Sequence, residues 1–472
     1  MSHATFQISS RFDASPQELF AWHGRPGALE RLVPPFDPVR VLASEPAPDG
    51  NPIGDGARVL LRVGKGPFSM KWEALHSGYD PPHRFVDSQE RGPFSAWRHE
   101  HVVQPEDESA SRLVDTVNYR LPLHALSGPI VGGMVRRKLE ATFRYRHATT
   151  IDDLRDHADA RARLGHELPL RILVCGASGL VGRGLCALLT TGGHEVVRLV
   201  RREPRGADEI RWDPARGELD PEAVAAFDGV VNLSGANIAE GRWTDERKRV
   251  LAQSRTDSTA TLVRALVDSG AAPRVYVQAS AIGYYDDGGF ERGETEPLDE
   301  NAPRGEGFLP ELCERWEAEA APLEAVGVRT AFARFGVVLT PRGGALQKLL
   351  PPFLLGAGGP VGSGRQGLCW VAYDDALAAL LFLLTSANAS GPYNVVAPEP
   401  IVQRAFAREL GSVLGRPAFL PLPGFAVSAL FGEMGRTILL RGPLVVPRRL
   451  EDEGFRWRRP TLEGALRHLL GR

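Results

Sequence analysis

Gly176, Gly179 and Gly182 stand three residues apart, where an apolar strand-like run over 171–175 gives way to an apolar helix-like run from Leu180 onward. Glycines at such a junction let the chain turn sharply, let backbone approach a pyrophosphate and let the helix pack on the strand. The helix start then offers unpaired N–H groups and a positive dipole end to the phosphates. Gly176, Ser178, Gly179, Leu180, Val181 and Gly182 are therefore the expected phosphate-side contacts of a dinucleotide. The chemistry such a cofactor brings is hydride transfer, which needs one group to move a proton and another to orient the reacting oxygen. Ser280, at the end of another apolar run, is placed to hydrogen-bond a substrate carbonyl or hydroxyl. Tyr284 and Tyr285, then Asp286 and Asp287, follow it closely, and Tyr284 is the candidate proton donor.

These residues need strands that end at one edge, because ligands of open α/β sheets collect at the carboxyl ends of strands. Strand signals at 171–175, 195–200, 229–233, 274–279 and 329–335 alternate with helical stretches. That alternation predicts a parallel sheet, doubly wound, over residues 170–400. The run over 195–200 leads into Arg201 and Arg202. An acid there suits a ribose 2′-hydroxyl, whereas arginine suits a 2′-phosphate, so NADP is expected over NAD. Leu233, Ser234, Gly235 and Ala236 end the next strand in small residues and are expected beside the cofactor, as is Ala279. Arg334 at a strand end, Arg365 in a glycine-containing loop and Tyr373 after it are the expected substrate-side contacts. Residues 376–384 are too short an apolar stretch to span a membrane and read as a buried helix.

Residues 1–150 read differently. Strand-like segments at 5–12, 56–63, 67–76, 83–90, 95–104 and 111–121 precede a helix over 129–147, and Ser15-Pro16 looks like a helix start. The order resembles the START-related, polyketide-cyclase-like (SRPBCC) superfamily, on the residues from Phe12 to Phe20 and on Trp72-Glu73-Ala74. That resemblance implies an α+β helix-grip domain around an apolar cavity, and so an apolar ligand. Trp72, Trp97, Phe68 and Phe94 are either cavity lining or ordinary core. His76, His83, His99 and His101 are scattered along the strands, where surface or pocket-lining positions are expected and no metal site. Residues 151–169 read as a charged helical linker, and 401–472 as a helical tail.

Downstream motifs narrow the second half. Gly235-Ala236-Asn237-Ile238, Glu240-Gly241-Arg242-Trp243, Ser254-Arg255, Cys313-Glu314-Arg315-Trp316-Glu317, Gly343-Gly344-Ala345-Leu346 and Gly358-Gly359-Pro360 resemble an atypical branch of the extended short-chain dehydrogenase/reductases. That branch is the epimerase-family group related to SDR family 39U, called sugar-nucleotide epimerase-like and sometimes cell-division-inhibitor-like. The resemblance implies a Rossmann-like sheet with a small C-terminal substrate subdomain. Active members of the wider superfamily use a tyrosine with a lysine four residues on. With Glu317 aligned to the superfamily's helical glutamate, Leu309 takes the tyrosine position and Cys313 the lysine position. Leucine has no proton to exchange and a neutral thiol supplies no positive field. Three readings follow: an NADP-dependent reductase or epimerase acting on a small substrate, a non-catalytic NADP(H) sensor or scaffold, and a hydrophobic-ligand carrier.

Composition excludes other classes. The 56 basic and 58 acidic residues nearly cancel, which removes the electrostatic case for nucleic acid or an anionic membrane. Cys175, Cys186, Cys313 and Cys369 match neither a zinc pattern nor a disulfide framework. The start of the chain lacks a basic-then-apolar leader, so a cytoplasmic protein with reduced thiols is expected.

Overall fold

Alternation in the first half builds a sheet with one wet and one dry face. The computed structural model describes residues 4–121, 128–165, 169–285 and 296–472. The chain divides into two compact units near residues 159–160. The first contains β1 (Ala4–Phe12), α1 (Pro16–Gly24), α2 (Ala28–Leu32), β2 (Val39–Glu45), β3 (Arg58–Val63), β4 (Met70–Asp80), β5 (Arg84–Arg91), β6 (Ala96–Pro105) and β7 (Ser111–Arg120), followed by α3 (Gly128–Leu164). The seven strands are antiparallel, in the order β1-β7-β6-β5-β4-β3-β2. Along β7 every second residue is buried, as one packed face requires. Ser15 caps α1 by accepting the Glu18 N–H at 3.2 Å, with Pro16 in the first turn.

Leu139 and Phe143 of α3 pack with Phe6, Trp97, Val117 and Tyr119 of the sheet, which is the helix-grip arrangement. The helix is longer than the expected 129–147. No Gly or Pro interrupts residues 134–164, and the helix runs on until Gly165 takes a left-handed φ of 64°. Leu154, within the segment read as a linker, lies in a second cluster with Leu19, Phe20 and Trp22. Trp72, Phe94 and Trp97 join in one aromatic cluster, whereas Phe68 is 86% exposed and lines nothing. Strand β2 has no counterpart in the sequence reading. It is an edge strand with little buried surface, so its pattern is weak.

The second unit places the glycine loop between β8 (Arg171–Cys175) and α4 (Leu180–Thr191). Then come β9 (Glu195–Val200), β10 (Glu209–Arg211), β11 (Gly229–Asn232), α5 (Asp245–Asp268), β12 (Val275–Ala281), α6 (Phe308–Ala318), α7 (Ala321–Ala325) and β13 (Arg329–Phe335). A short pair, β14 (Val337–Leu339) and β15 (Trp370–Ala372), flanks α8 (Gly344–Leu354) and precedes α9 (Tyr373–Thr385). Then follow β16 (Gly391–Val395), α10 (Gln403–Leu414), α11 (Gly424–Met434), α12 (Arg448–Asp452) and α13 (Leu462–Leu470). The main sheet is parallel, in the order β10-β9-β8-β11-β12-β13-β16. The order reverses between β8 and β11, the crevice position of a doubly wound Rossmann-like sheet. Leu262, Val263 and Leu266 of α5 and Leu323 of α7 share a core with Leu173, Val230 and Tyr276 of the sheet. Every residue of α9 is buried, as the apolar run over 376–384 predicts.

Candidate functional site

The loop after β8 is built so that only glycine fits at two of its three positions. Gly176 has φ +78°, and a Cβ there would stand 2.6 Å from the Leu233 carbonyl oxygen at the end of β11. A Cβ on Gly182 would run into the Gly176 carbonyl. Gly179 donates its N–H to that same carbonyl at 2.9 Å, and α4 starts one residue later. The result is a tight cradle whose following helix presents its first N–H groups, the geometry that accepts a pyrophosphate.

Two loops flank this cradle. After β9, Arg202 is bound through both terminal nitrogens to Glu209 at 2.7 and 2.6 Å. Arg201 is exposed and forms no hydrogen bond or ion pair among the described residues. After β11, Asn232 accepts the Ser234 N–H at 3.1 Å and donates to Thr259 and Tyr276 at 3.0 Å. That buried amide fixes the turn of Leu233, Ser234, Gly235 and Ala236. Ser254 accepts the Ala236 N–H at 3.0 Å. Arg255 donates to the carbonyls of Leu251 and Ala236 and stacks 5.0 Å from the Trp316 ring. No carboxylate pairs with it among the described residues, and burial disfavours its charge. This half-buried cation beside Gly235 is a site feature that the sequence held only as part of a motif.

Ser280 sits at the sheet's carboxyl edge in register with Arg334 of β13, which is in register with Asn394 of β16. The Ser280 hydroxyl donates to Glu317 Oε1 at 2.6 Å. Arg334 grips both oxygens of Glu317, at 2.8 and 2.7 Å, and donates to the Tyr285 hydroxyl at 2.9 Å. The Tyr285 hydroxyl in turn donates to Asn394 Oδ1 at 2.8 Å. The guanidinium lies 3.5 Å from the centre of the Tyr284 ring, a close cation–π contact. Burial pushes the Tyr285 phenol up to about 12, so Tyr285 is a neutral relay at ordinary pH. The paired carboxylate and phenol hold the Arg334 charge in place despite its burial. Glu317 is the hub of this row, and its helical spacing from Leu309 and Cys313 puts all three on one face of α6.

The other expected residues fall into distinct places. Leu309 lies against Gly283, and the Cys313 thiol points at the Ala281 carbonyl, 3.7 Å away. Burial and the nearby Glu317 push that thiol up to about 12, so it is neutral. Both residues therefore lie against the segment that follows Ser280. Tyr373 is buried and donates its hydroxyl to the Leu180 carbonyl at 3.0 Å, so it props the start of α4 from below. Gly184 makes room for that ring, since any Cβ there would strike it. Arg365 is exposed on its loop, with no side-chain hydrogen bond among the described residues. Asp286 and Asp287 lie outside the described residues. Of the four scattered histidines, His83 is exposed, but His76, His99 and His101 are buried close together beside Asp87 and Asp115.

An epimerase family protein of Mycobacterium tuberculosis is 41% identical over 297 residues, which span 62% of this chain and 96% of that protein. The chain belongs to the epimerase family. Residues 172–396 match the NAD dependent epimerase/dehydratase family, residues 12–144 the polyketide cyclase/dehydrase and lipid transport family, and residues 422–469 a domain of unknown function, DUF1731. Human SDR39U1, solved with NADPH, is 34% identical, with a TM-score of 0.58, over 64% of this chain and 99% of that one. A nucleoside-diphosphate sugar epimerase from Corynebacterium glutamicum aligns over 99% of this chain and 90% of its own, with TM-score 0.79 and 28% identity. That alignment spans both units of this epimerase-family chain. No helix among the described residues is long and apolar enough to cross a membrane.

Proposed function

We propose that the second unit binds NADP and acts as a reductase or epimerase on the hydroxyl or carbonyl of a small substrate. The observation that carries this reading is the glycine cradle with an uncommitted Arg201 beside it. Gly176 and Gly182 leave no room for side chains, and Arg201 is the basic side chain at the end of β9 without a partner among the described residues. Arg202 is held by Glu209 and supports the loop. NADPH in the human relative supports the same choice. A bound nicotinamide supplies or accepts a hydride.

The chain's own residues do the rest. The Ser280 hydroxyl donates its hydrogen bond to Glu317, so its oxygen is left to accept from a substrate hydroxyl. Arg334 holds Glu317 and Tyr284 in position, and Tyr284 moves the substrate proton. Arg255 supplies the positive field that the thiol of Cys313 cannot. A sugar-nucleotide substrate is supported by the description of the Corynebacterium protein, with Arg365 exposed to meet its charged part. The first unit's family supports an apolar ligand there.

A second reading, a cofactor-dependent sensor, is favoured by one observation: the α6 side chains next to the segment after Ser280 are Leu309, against Gly283, and the neutral thiol of Cys313, near the Ala281 carbonyl, and neither can do the work of a tyrosine or a lysine. Turnover separates the two. With purified protein and a panel of nucleotide sugars and small carbonyls, the enzyme reading expects NADPH-linked conversion that falls at least 100-fold in Ser280→Ala and in Tyr284→Phe. Cofactor that binds but never turns over across the panel would reject it in favour of the sensor.

A further inference from the structure

A second constellation of chemical side chains lies in the first unit, on the buried face of its sheet. In the antiparallel register His76 of β4 is opposite Asp87 of β5, Asp87 is opposite His99 of β6, and His101 is opposite Asp115 of β7. Two histidines two residues apart on a strand send both rings to one face. We propose that Asp87, His99 and His101 form a binding site for a divalent transition-metal ion, zinc by its geometry, with Asp115 as the supporting carboxylate.

The distances carry the argument. One ligand atom from each of the three residues falls within 4.8 Å of the others. Asp87 Oδ2 is 2.9 Å from His99 Nδ1 and 3.4 Å from His101 Nε2. With bonds of about 2.0–2.1 Å, the ligand atoms of a tetrahedral zinc stand roughly 3.3 Å apart. Two imidazoles and one carboxylate are a donor set for zinc that leaves a fourth position open. Asp87 keeps 21% of its side chain exposed, whereas His99 and His101 keep 2% and 8%.

His99 has the supporting carboxylate of a metal site hydrogen-bonded in place, and His101 has the same carboxylate within reach. Metal-ligating histidines turn their second nitrogen to a carboxylate or carbonyl. Asp115 Oδ1 lies 3.2 Å from His99 Nε2 and 2.8 Å from His101 Nδ1, the nitrogens that face away from Asp87. The approach to His101 Nδ1 is too oblique to count as a hydrogen bond, and that buried nitrogen is left without one, as is His76 Nδ1 beside Asp87. His147 steadies Asp115 through its other oxygen at 2.8 Å and is itself fixed by Ser10 at 2.8 Å. Trp97 donates to Asp87 Oδ1 at 3.4 Å, which leaves Oδ2 to the ion. Phe85 stacks on His101 at 4.0 Å and Phe143 meets His99 edge-on at 5.0 Å, so both rings are held by packing.

The test uses the full chain without an affinity tag, stripped with chelator and titrated with Zn²⁺ and then Co²⁺. We expect one equivalent retained through desalting, and a cobalt spectrum with the strong visible bands of a tetrahedral nitrogen/oxygen site and no thiolate charge-transfer band. Asp87→Asn and His101→Ala should weaken zinc at least 100-fold. Asp115→Asn should weaken it 10–100-fold, and the exposed His83→Ala should bind as wild type. Circular dichroism checks that each variant is folded. Wild-type protein that retains no stoichiometric metal, a cobalt spectrum with thiolate bands, or folded Asp87→Asn that binds like wild type each overturns the proposal. A buried hydrogen-bonded network without metal is then the reading that stands.

Discussion

Removing Glu317 tests the row of side chains around Ser280 most severely. Glu317 accepts from Ser280 and, through both oxygens, from Arg334, whose side chain is only 4% exposed. Glu317→Ala leaves that guanidinium buried without its carboxylate. Breaking a buried pair from one side costs about 3–5 kcal/mol, because the remaining charge is uncompensated. Unfolding entropy is about 2.1 cal/mol/K per residue, or roughly 0.6 kcal/mol/K for a unit of roughly 300 residues. The second unit should therefore melt about 5–8 °C lower. Differential scanning calorimetry is the assay. Glu317→Met with Arg334→Met should recover at least half of the loss, since apolar replacement of both partners removes the stranded charge. A Glu317→Ala melting point within about 1 °C of wild type, or a double variant as unstable as the two single losses added together, would mean that Glu317 does not hold the Arg334 charge.

Two further outcomes follow from the geometry. Gly182→Ala forces a methyl into the Gly176 carbonyl; it should cost about 1–3 kcal/mol of stability and abolish NADPH binding, checked by melting and calorimetry on one preparation. Burial raises Asp375 to about 7 although the N–H groups of Arg458 and Arg459 bind its oxygens. A carboxyl raised on folding binds its proton more tightly in the folded state, so its contribution is present at low pH and is lost as pH rises from about 4 through about 7. Asp375→Asn removes this dependence, so its melting point relative to wild type should climb between pH 5 and pH 8; a difference that stays flat across that range contradicts the assignment.

Much of this was legible in the residues because it depends on short spacings. The glycine loop, the strand ends at Ser280 and Arg334, and the START-like alternation each lie within a few residues of their own signal. Glu317 was visible only as a family landmark. Its role as hub comes from pairing Ser280, Arg334 and Asn394 across three strands that lie 54 to 60 residues apart in the chain, a register no local pattern encodes. Tyr373 and Arg334 were expected beside a substrate, but Tyr373 opens α9 and donates to the Leu180 carbonyl, and Arg334 at the end of β13 is spent on Glu317. Only packing decides whether such a group faces ligand or protein. The histidines looked scattered because His76 lies on β4, His99 and His101 on β6, and the aspartates beside them on β5 and β7. The His99-x-His101 spacing was the one cue that two of them share a face.

Selection of NADP by the cradle and Arg201 is measured by titration calorimetry with NADPH and NADH. NADPH should bind at least tenfold tighter, a difference of about 1.4 kcal/mol, and Arg201→Ala should remove the preference, whereas Arg202→Ala should keep most of it. Equal affinity for the two nucleotides, or a preference that survives loss of both arginines, would mean that Arg201 does not read the 2′-phosphate.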